Sequence, residues 1–227
     1  MSNVVPILAA MLALAAAAVR LPRWSAPESR PFTVGIALLA LWAILRTPAV
    51  NRSANELTLP GGHFESLPGL AADVALVAAG GLIGVAVADA WGRPVLKKAF
   101  YVGLIVVEAT LLLTYDPTNP TDRTLDTHLW ILAIAGIVGN AAVLVAALLS
   151  YRDVPERFRL PLGLFIAGGV AGLVLAVIRV ATLVRPAGAQ IEAWAPVVSI
   201  PIFAFSIGSL IASARMRQLP DREPASR

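Results

Sequence analysis

The sequence predicts an all-α integral membrane protein, a bundle of seven transmembrane helices with its amino terminus outside and its carboxyl terminus in the cytoplasm. Three observations predict it. Only 14% of the 227 residues are charged and 58% are hydrophobic, whereas soluble chains carry about 25% charge. The apolar residues gather into seven runs, each near the roughly 20 residues with which a helix crosses a hydrocarbon core of about 30 Å. Lys and Arg are then distributed unevenly between the two sides that seven crossings define. A mean hydropathy of +0.77 excludes an aqueous enzyme, a soluble nucleic-acid-binding fold and a disordered chain together.

The first run, Val4–Val19, follows Met1-Ser2-Asn3. These lack the positive n-region of a signal peptide, so the segment is expected to remain as a helix. The second and third are Phe32–Val50 and Leu70–Trp91, and the fourth, Ala99–Tyr115, follows Lys97 and Lys98. Leu129–Tyr151, Pro161–Val184 and Trp194–Ala214 complete the set. Membrane barrels alternate apolar and polar residues in segments of about ten, and runs such as Leu70–Trp91 do not alternate. Residues 1–214 thus form one transmembrane domain, and 215–227 a basic cytoplasmic tail.

Orientation follows from the basic residues. One side holds Arg20, Arg23, Arg30, Arg93, Lys97, Lys98, Arg152, Arg157, Arg159, Arg215, Arg217, Arg222 and Arg227, against Arg46, Arg52, Arg123 and Arg185 on the other. The basic side is expected to be cytoplasmic. Its excess, and the pI of about 10.1, point to anionic lipid headgroups as partners and away from nucleic acid. Two outer loops exceed a turn, Asn51–Gly69 and Asp116–His128, and both are rich in Gly, Pro, Asn and Asp, which cannot continue a helix. Sixteen Arg against two Lys, with abundant Ala, Val, Leu and Gly, point to a GC-rich bacterial coding sequence and hence a bacterial inner (plasma) membrane.

Ionisable residues inside a span cost about 2.5–3.5 kcal/mol each on insertion scales, so they are functional candidates. Glu108 lies ten residues beyond Lys98, about 15 Å up the helix and near the midplane. Arg179 lies six residues before Arg185, about 9 Å below the outer boundary. A reaching guanidinium covers the difference in depth, so the two are expected to pair. Asp73 and Arg46 fall in the outer turns of the third and second spans and are expected to meet across one leaflet. With Asn140 in the fifth span, these form the candidate transport or ion-pair site. The alternative for each pair is a structural one, fixing helix register.

Gly80 and Gly84 in the third span, and Gly168 and Gly172 in the sixth, form small-xxx-small ridges that let two backbones approach. Their shared Gly-Gly-x-x-Gly pattern admits an inverted repeat as a second reading. His63 and His128 fall on the outer side near Glu65, Asp122 and Asp126. Without ligand spacing they read as surface residues ahead of a metal or pH-sensing site. Pro196 and Pro201, with Ser199, Ser206 and Ser209, mark a kink re-satisfied by hydroxyls or a moving helix.

No Cys is present, which removes disulfides and thiolate chemistry. The two lysines lie at the start of the fourth span, leaving no late Schiff-base lysine, and no intramembrane protease motif, His-Glu-x-x-His or phosphate loop occurs. No enzymatic activity, cofactor or metal is therefore expected.

The stretch Thr47-Pro48-Ala49-Val50, Asn55-Glu56-Leu57 and Leu67-Pro68-Gly69-Leu70 opens the third span. On it, and on the seven spans, the chain resembles the membrane region of an actinobacterial family of transporter-like proteins. Members generally continue into a soluble cytoplasmic domain, of which these residues hold none. The resemblance implies a transporter-like or signalling membrane module and assigns no functional residue. The expected function is a small-solute or proton-coupled transporter, or a transporter-like sensor, with a polar site in the outer half of the bundle. The alternative is a non-transporting interaction or accessory protein, binding a membrane partner or a second copy through its glycine faces and basic tail.

Overall fold

A computed structural model of the chain describes residues 4–47, 49–50, 58–59, 62–63, 67–115, 124–184 and 195–217. Seven long helices dominate them: α1 (Val4–Arg20), α2 (Arg30–Leu45), α3 (Leu67–Ala90), α4 (Pro94–Leu113), α5 (Thr124–Ser150), α6 (Glu156–Val184) and α7 (Ala195–Arg217). A two-residue antiparallel pairing, β1 (Thr58–Leu59) with β2 (Gly62–His63), lies between α2 and α3. Six of the helices are long and apolar enough to cross a membrane. The seventh, α4, carries Lys97, Lys98 and Glu108 along its 20 residues.

Local chemistry sets the ends. Pro31 and Pro94 occupy the first turns of α2 and α4, where a missing N–H costs nothing. α3 stops at a left-handed Gly92 (φ 61°), with Gly92 N–H bonded to the Asp89 carbonyl and Arg93 N–H to that of Ala88. This paired closure satisfies the last carbonyls and turns the chain at once into α4. α2 ends at Leu45, before Pro48, and falls short of the expected Val50. α5 and α6 each begin five residues earlier than their apolar runs, at Thr124 and Glu156, since a helix end in polar surroundings needs no apolar residue. α7 continues through Arg215 to Arg217, past the expected boundary at 214. The remainder of the tail lies outside the described residues.

Packing closes a ring. α1 lies against α2 and α7, α2 against α3, α3 against α5, α5 against α6, and α6 against α7. α4 stands outside this ring on the flank of α3. The α1 stripe of Ala9, Ala10, Ala13, Ala16 and Ala17 is buried with Ile36, Leu39 and Ala40 of α2 and with Ile202 and Phe205 of α7. Small side chains let these helices approach closely, which matters where lipid is as apolar as leucine.

The basic end of the bundle is stitched by arginines. Arg20 donates to Thr33 Oγ1 (3.2 Å) and lies 4.6 Å over the Phe32 ring. Arg23 reaches Met216 Sδ (3.0 Å), Arg217 donates to the Val19 carbonyl (2.9 Å), and Arg215 donates to the Arg157 carbonyl. α1 and α7 are therefore parallel neighbours, their basic ends side by side. The chain is a multi-pass helical bundle of membrane type.

Candidate functional site

The end opposite the arginine stitching holds the principal polar network. Arg46 terminates α2, and its guanidinium donates to Asp73 Oδ1 of α3. The other oxygen of Asp73 lies 3.3 Å from His128 Nε2, in the second turn of α5. His128 Nδ1 stands 3.5 Å from Thr114 Oγ1, just beyond α4. The Thr114 hydroxyl also reaches back to the Thr110 carbonyl at 2.8 Å. Arg179 of α6 is close enough for its charge to act on both Asp73 and Arg46. Five helices thus converge on one carboxylate.

The groups at the centre are buried: Asp73 is 6% exposed and His128 7%, whereas the Arg46 side chain keeps 35%. A carboxylate so enclosed persists as an anion only with charge or hydrogen bonds on both oxygens, and here Arg46 and His128 supply them. His128 has two ways to satisfy its neighbours. An imidazolium donates to Asp73 and to Thr114 together. A neutral ring donates to Asp73 and accepts from Thr114, once that hydroxyl turns from the Thr110 carbonyl. Either arrangement ties the ring to the Thr114 hydroxyl at the end of α4.

Of the candidate site residues, the structure brings together Arg46, Asp73 and, electrostatically, Arg179. Glu108 stays apart. Both its carboxylate oxygens are buried without a hydrogen-bond partner among the described residues, and the charge of Arg179 bears on Asp73. The expected Glu108–Arg179 pair is not formed. The two residues match in depth, but α4 is outside the ring, and depth says nothing of which helices are neighbours. Asn140 also lies outside the network: its amide donates to the Gly136 carbonyl (2.8 Å) in its own helix.

The glycines divide similarly. A Cβ at Gly84 would stand 2.5 Å from the Phe100 ring of α4, one at Gly168 would stand 2.9 Å from Phe205 of α7, and one at Gly172 would collide with the Asn140 amide. Gly80 differs, since a Cβ there meets nothing within 4 Å. The α3 ridge meets α4 at Gly84 and comes near Gly139 of α5 at Gly80, and the α6 ridge meets α7 at Gly168 and α5 at Gly172. Gly35, absent from the expected set, is as closely packed: a Cβ there would stand 2.9 Å from Ile83 and 3.1 Å from the Ala79 carbonyl.

His128 was the residue hardest to place from sequence. Polar neighbours at 122–127 read as loop, but Thr124 already belongs to α5. His128, Leu132 and Ala135 share one helix face at i, i+4 and i+7, and that spacing is the signal for an inward ring. The side chain of His63 and most of the two long outer loops lie outside the described residues. Among the described residues, no three His, Asp or Glu gather as metal ligands. Pro201 lies within α7, where Ser199, Ser206, Ser209 and Ser213 are buried. No family model, no curated protein and no solved structure matches the chain.

Proposed function

We propose that this protein is a proton-coupled small-solute transporter, or a sensor built like one, whose proton-exchanging element is the Asp73–His128 pair. One observation carries the reading: a buried carboxylate shared between an arginine and a histidine at the meeting point of helices that belong to both the ring and its flank. An intramembrane histidine–carboxylate contact is costly if only structural, and it joins a proton-carrying ring to a buried acid. Among the described residues, Arg46 from α2, Thr114 from α4 and Arg179 from α6 stand around the pair, and they offer an anionic or polar solute group hydrogen-bond donors. The resemblance to transporter-like bacterial membrane proteins accords with this.

In this reading all seven helices cross the bacterial inner membrane, with the amino terminus outside. The support for α4 is its register: Phe100 meets Gly84, Leu104 meets Gly81, and Leu111 clusters with Val77. α4 therefore runs antiparallel along the length of α3. Reporter fusions after Arg30, Lys98 and Arg157 should behave as cytoplasmic, and those after Gly62 and Thr121 as external. An inverted set would remove the topology.

The rival reading, an interaction protein docking through glycine faces, needs those faces open. Gly84, Gly168 and Gly172 are instead covered by Phe100, Phe205 and Asn140 of the same chain. Proteoliposomes given an inward proton gradient and a mixture of labelled small metabolites should accumulate at least one of them. Asp73→Asn and His128→Gln should abolish that accumulation. No uptake by the wild type under any gradient would return the interaction reading to first place.

A further inference from the structure

α4 and α5 touch near their non-basic ends, where Leu111 packs with Leu132 and Thr114 meets His128. Below that contact they part around a cleft of about 440 Å³ floored by α3. Its walls are apolar, and it is open at Gly80 on the floor and Gly103 on the α4 wall, where an added Cβ would meet nothing within 4 Å. Val106, Ile134 and Val138 line it while remaining more than half exposed. The lining on α4 runs from Leu96 to Thr110, about 21 Å along the axis, which spans the roughly 15 Å half-thickness of a hydrocarbon core with about 6 Å to spare.

The basic end of the cleft is charged. Leu96 is the lining residue nearest that end, and Arg93, Lys97 and Lys98 lie at the same end of α4. Lys97 is held by Asp89 at 2.6 Å. Among the described residues, Arg93 and Lys98 are exposed and enter no ion pair. Arg152 lies exposed just past the same end of α5.

We propose that this cleft holds one acyl chain of an anionic phospholipid of the basic-side leaflet, with its phosphate at Arg93 and Lys98. Apolar walls fit a chain, and exposed cations without an ion pair at the same end of α4 fit an anionic headgroup at that depth. The bound lipid wedges α4 away from α5 and so bears on the contact between Thr114 and His128. The inference rests on α4 crossing the membrane and does not require transport.

Gly103→Leu is the discriminating variant, because the added side chain enters empty space and should leave folding intact. Native mass spectrometry of the full chain, titrated with mixed phosphatidylglycerol and phosphatidylcholine, should show one phosphatidylglycerol retained on the wild type. Gly103→Leu should lower that retention at least tenfold with thermal stability unchanged. Arg93→Gln with Lys98→Gln should remove the preference for phosphatidylglycerol while keeping a lipid. Equal retention of the two lipids by the wild type, or undiminished retention by Gly103→Leu, would overturn the proposal. So would a dimer that Gly103→Leu dissociates while lipid retention is unchanged, since a second copy would then occupy the cleft. Failure of the topology itself would appear in the reporter fusions, independently of any lipid result.

Discussion

Arg46→Gln is expected to lower the stability of the bundle by about 2–3 kcal/mol, read as unfolding in mild detergent. The cause is the partner left behind. Asp73 is almost wholly enclosed and, among the described residues, would retain only His128 as a close hydrogen-bond partner on its oxygens. Breaking a fully buried pair costs about 3–5 kcal/mol. Arg46 keeps a third of its side chain exposed and His128 stays in place, which holds the loss below that range. Arg46→Gln combined with Asp73→Asn should regain more than half of the loss, because no uncompensated anion remains. Glu108→Gln with Arg179→Gln serves as the contrast: their effects should add within about 0.5 kcal/mol, as for residues without shared partners. Strong coupling between Glu108 and Arg179, with none between Arg46 and Asp73, would reverse the assignment of the site.

Gly172→Leu should cost about 3 kcal/mol, the upper part of the range for overpacking a close crossing. Here the obstruction is polar. A Cβ on residue 172 meets the Asn140 amide, and Asn140 is fixed by its bond to the Gly136 carbonyl. Turning the amide aside loses that hydrogen bond. Gly172→Ala should therefore destabilise on its own, and Asn140→Ala in the same molecule should restore most of the loss by vacating the space. Thermal stability that is unchanged in Gly172→Leu would mean α5 and α6 do not cross here.

Much of the architecture was legible because hydropathy and charge report depth directly. The seven helices fall on the seven apolar runs, displaced mainly where polar residues extend a helix beyond lipid, as at Thr124 and Glu156. Arg46 and Asp73 were legible as a pair because adjacent spans joined by one loop are usually neighbours. Glu108 was misplaced by the same reasoning: depth was inferred correctly enough to match Arg179, but the order of helices around a ring is not written in hydropathy. A peripheral α4 leaves its carboxylate without that cation. His128 reads as a surface residue because it stands in a polar stretch without ligand spacing, one residue before the apolar run at Leu129, whereas the ring is buried. Gly35 was missed because it stands alone, outside any Gly-x-x-x-Gly pattern, although a Cβ there would stand as close to Ile83 as one at Gly168 to Phe205.

The central claim is that the Asp73–His128 pair exchanges a proton while the bundle stays folded. Nitrogen NMR on the His63→Gln variant tests it most directly, since His128 is then the sole histidine. The ring should be found in both its protonated and its neutral form as the proton supply is varied, and Asp73→Asn should alter that response. A His128 signal fixed in one protonation state across the whole range, indifferent to Asp73→Asn, would show the pair to be structural and contradict the account.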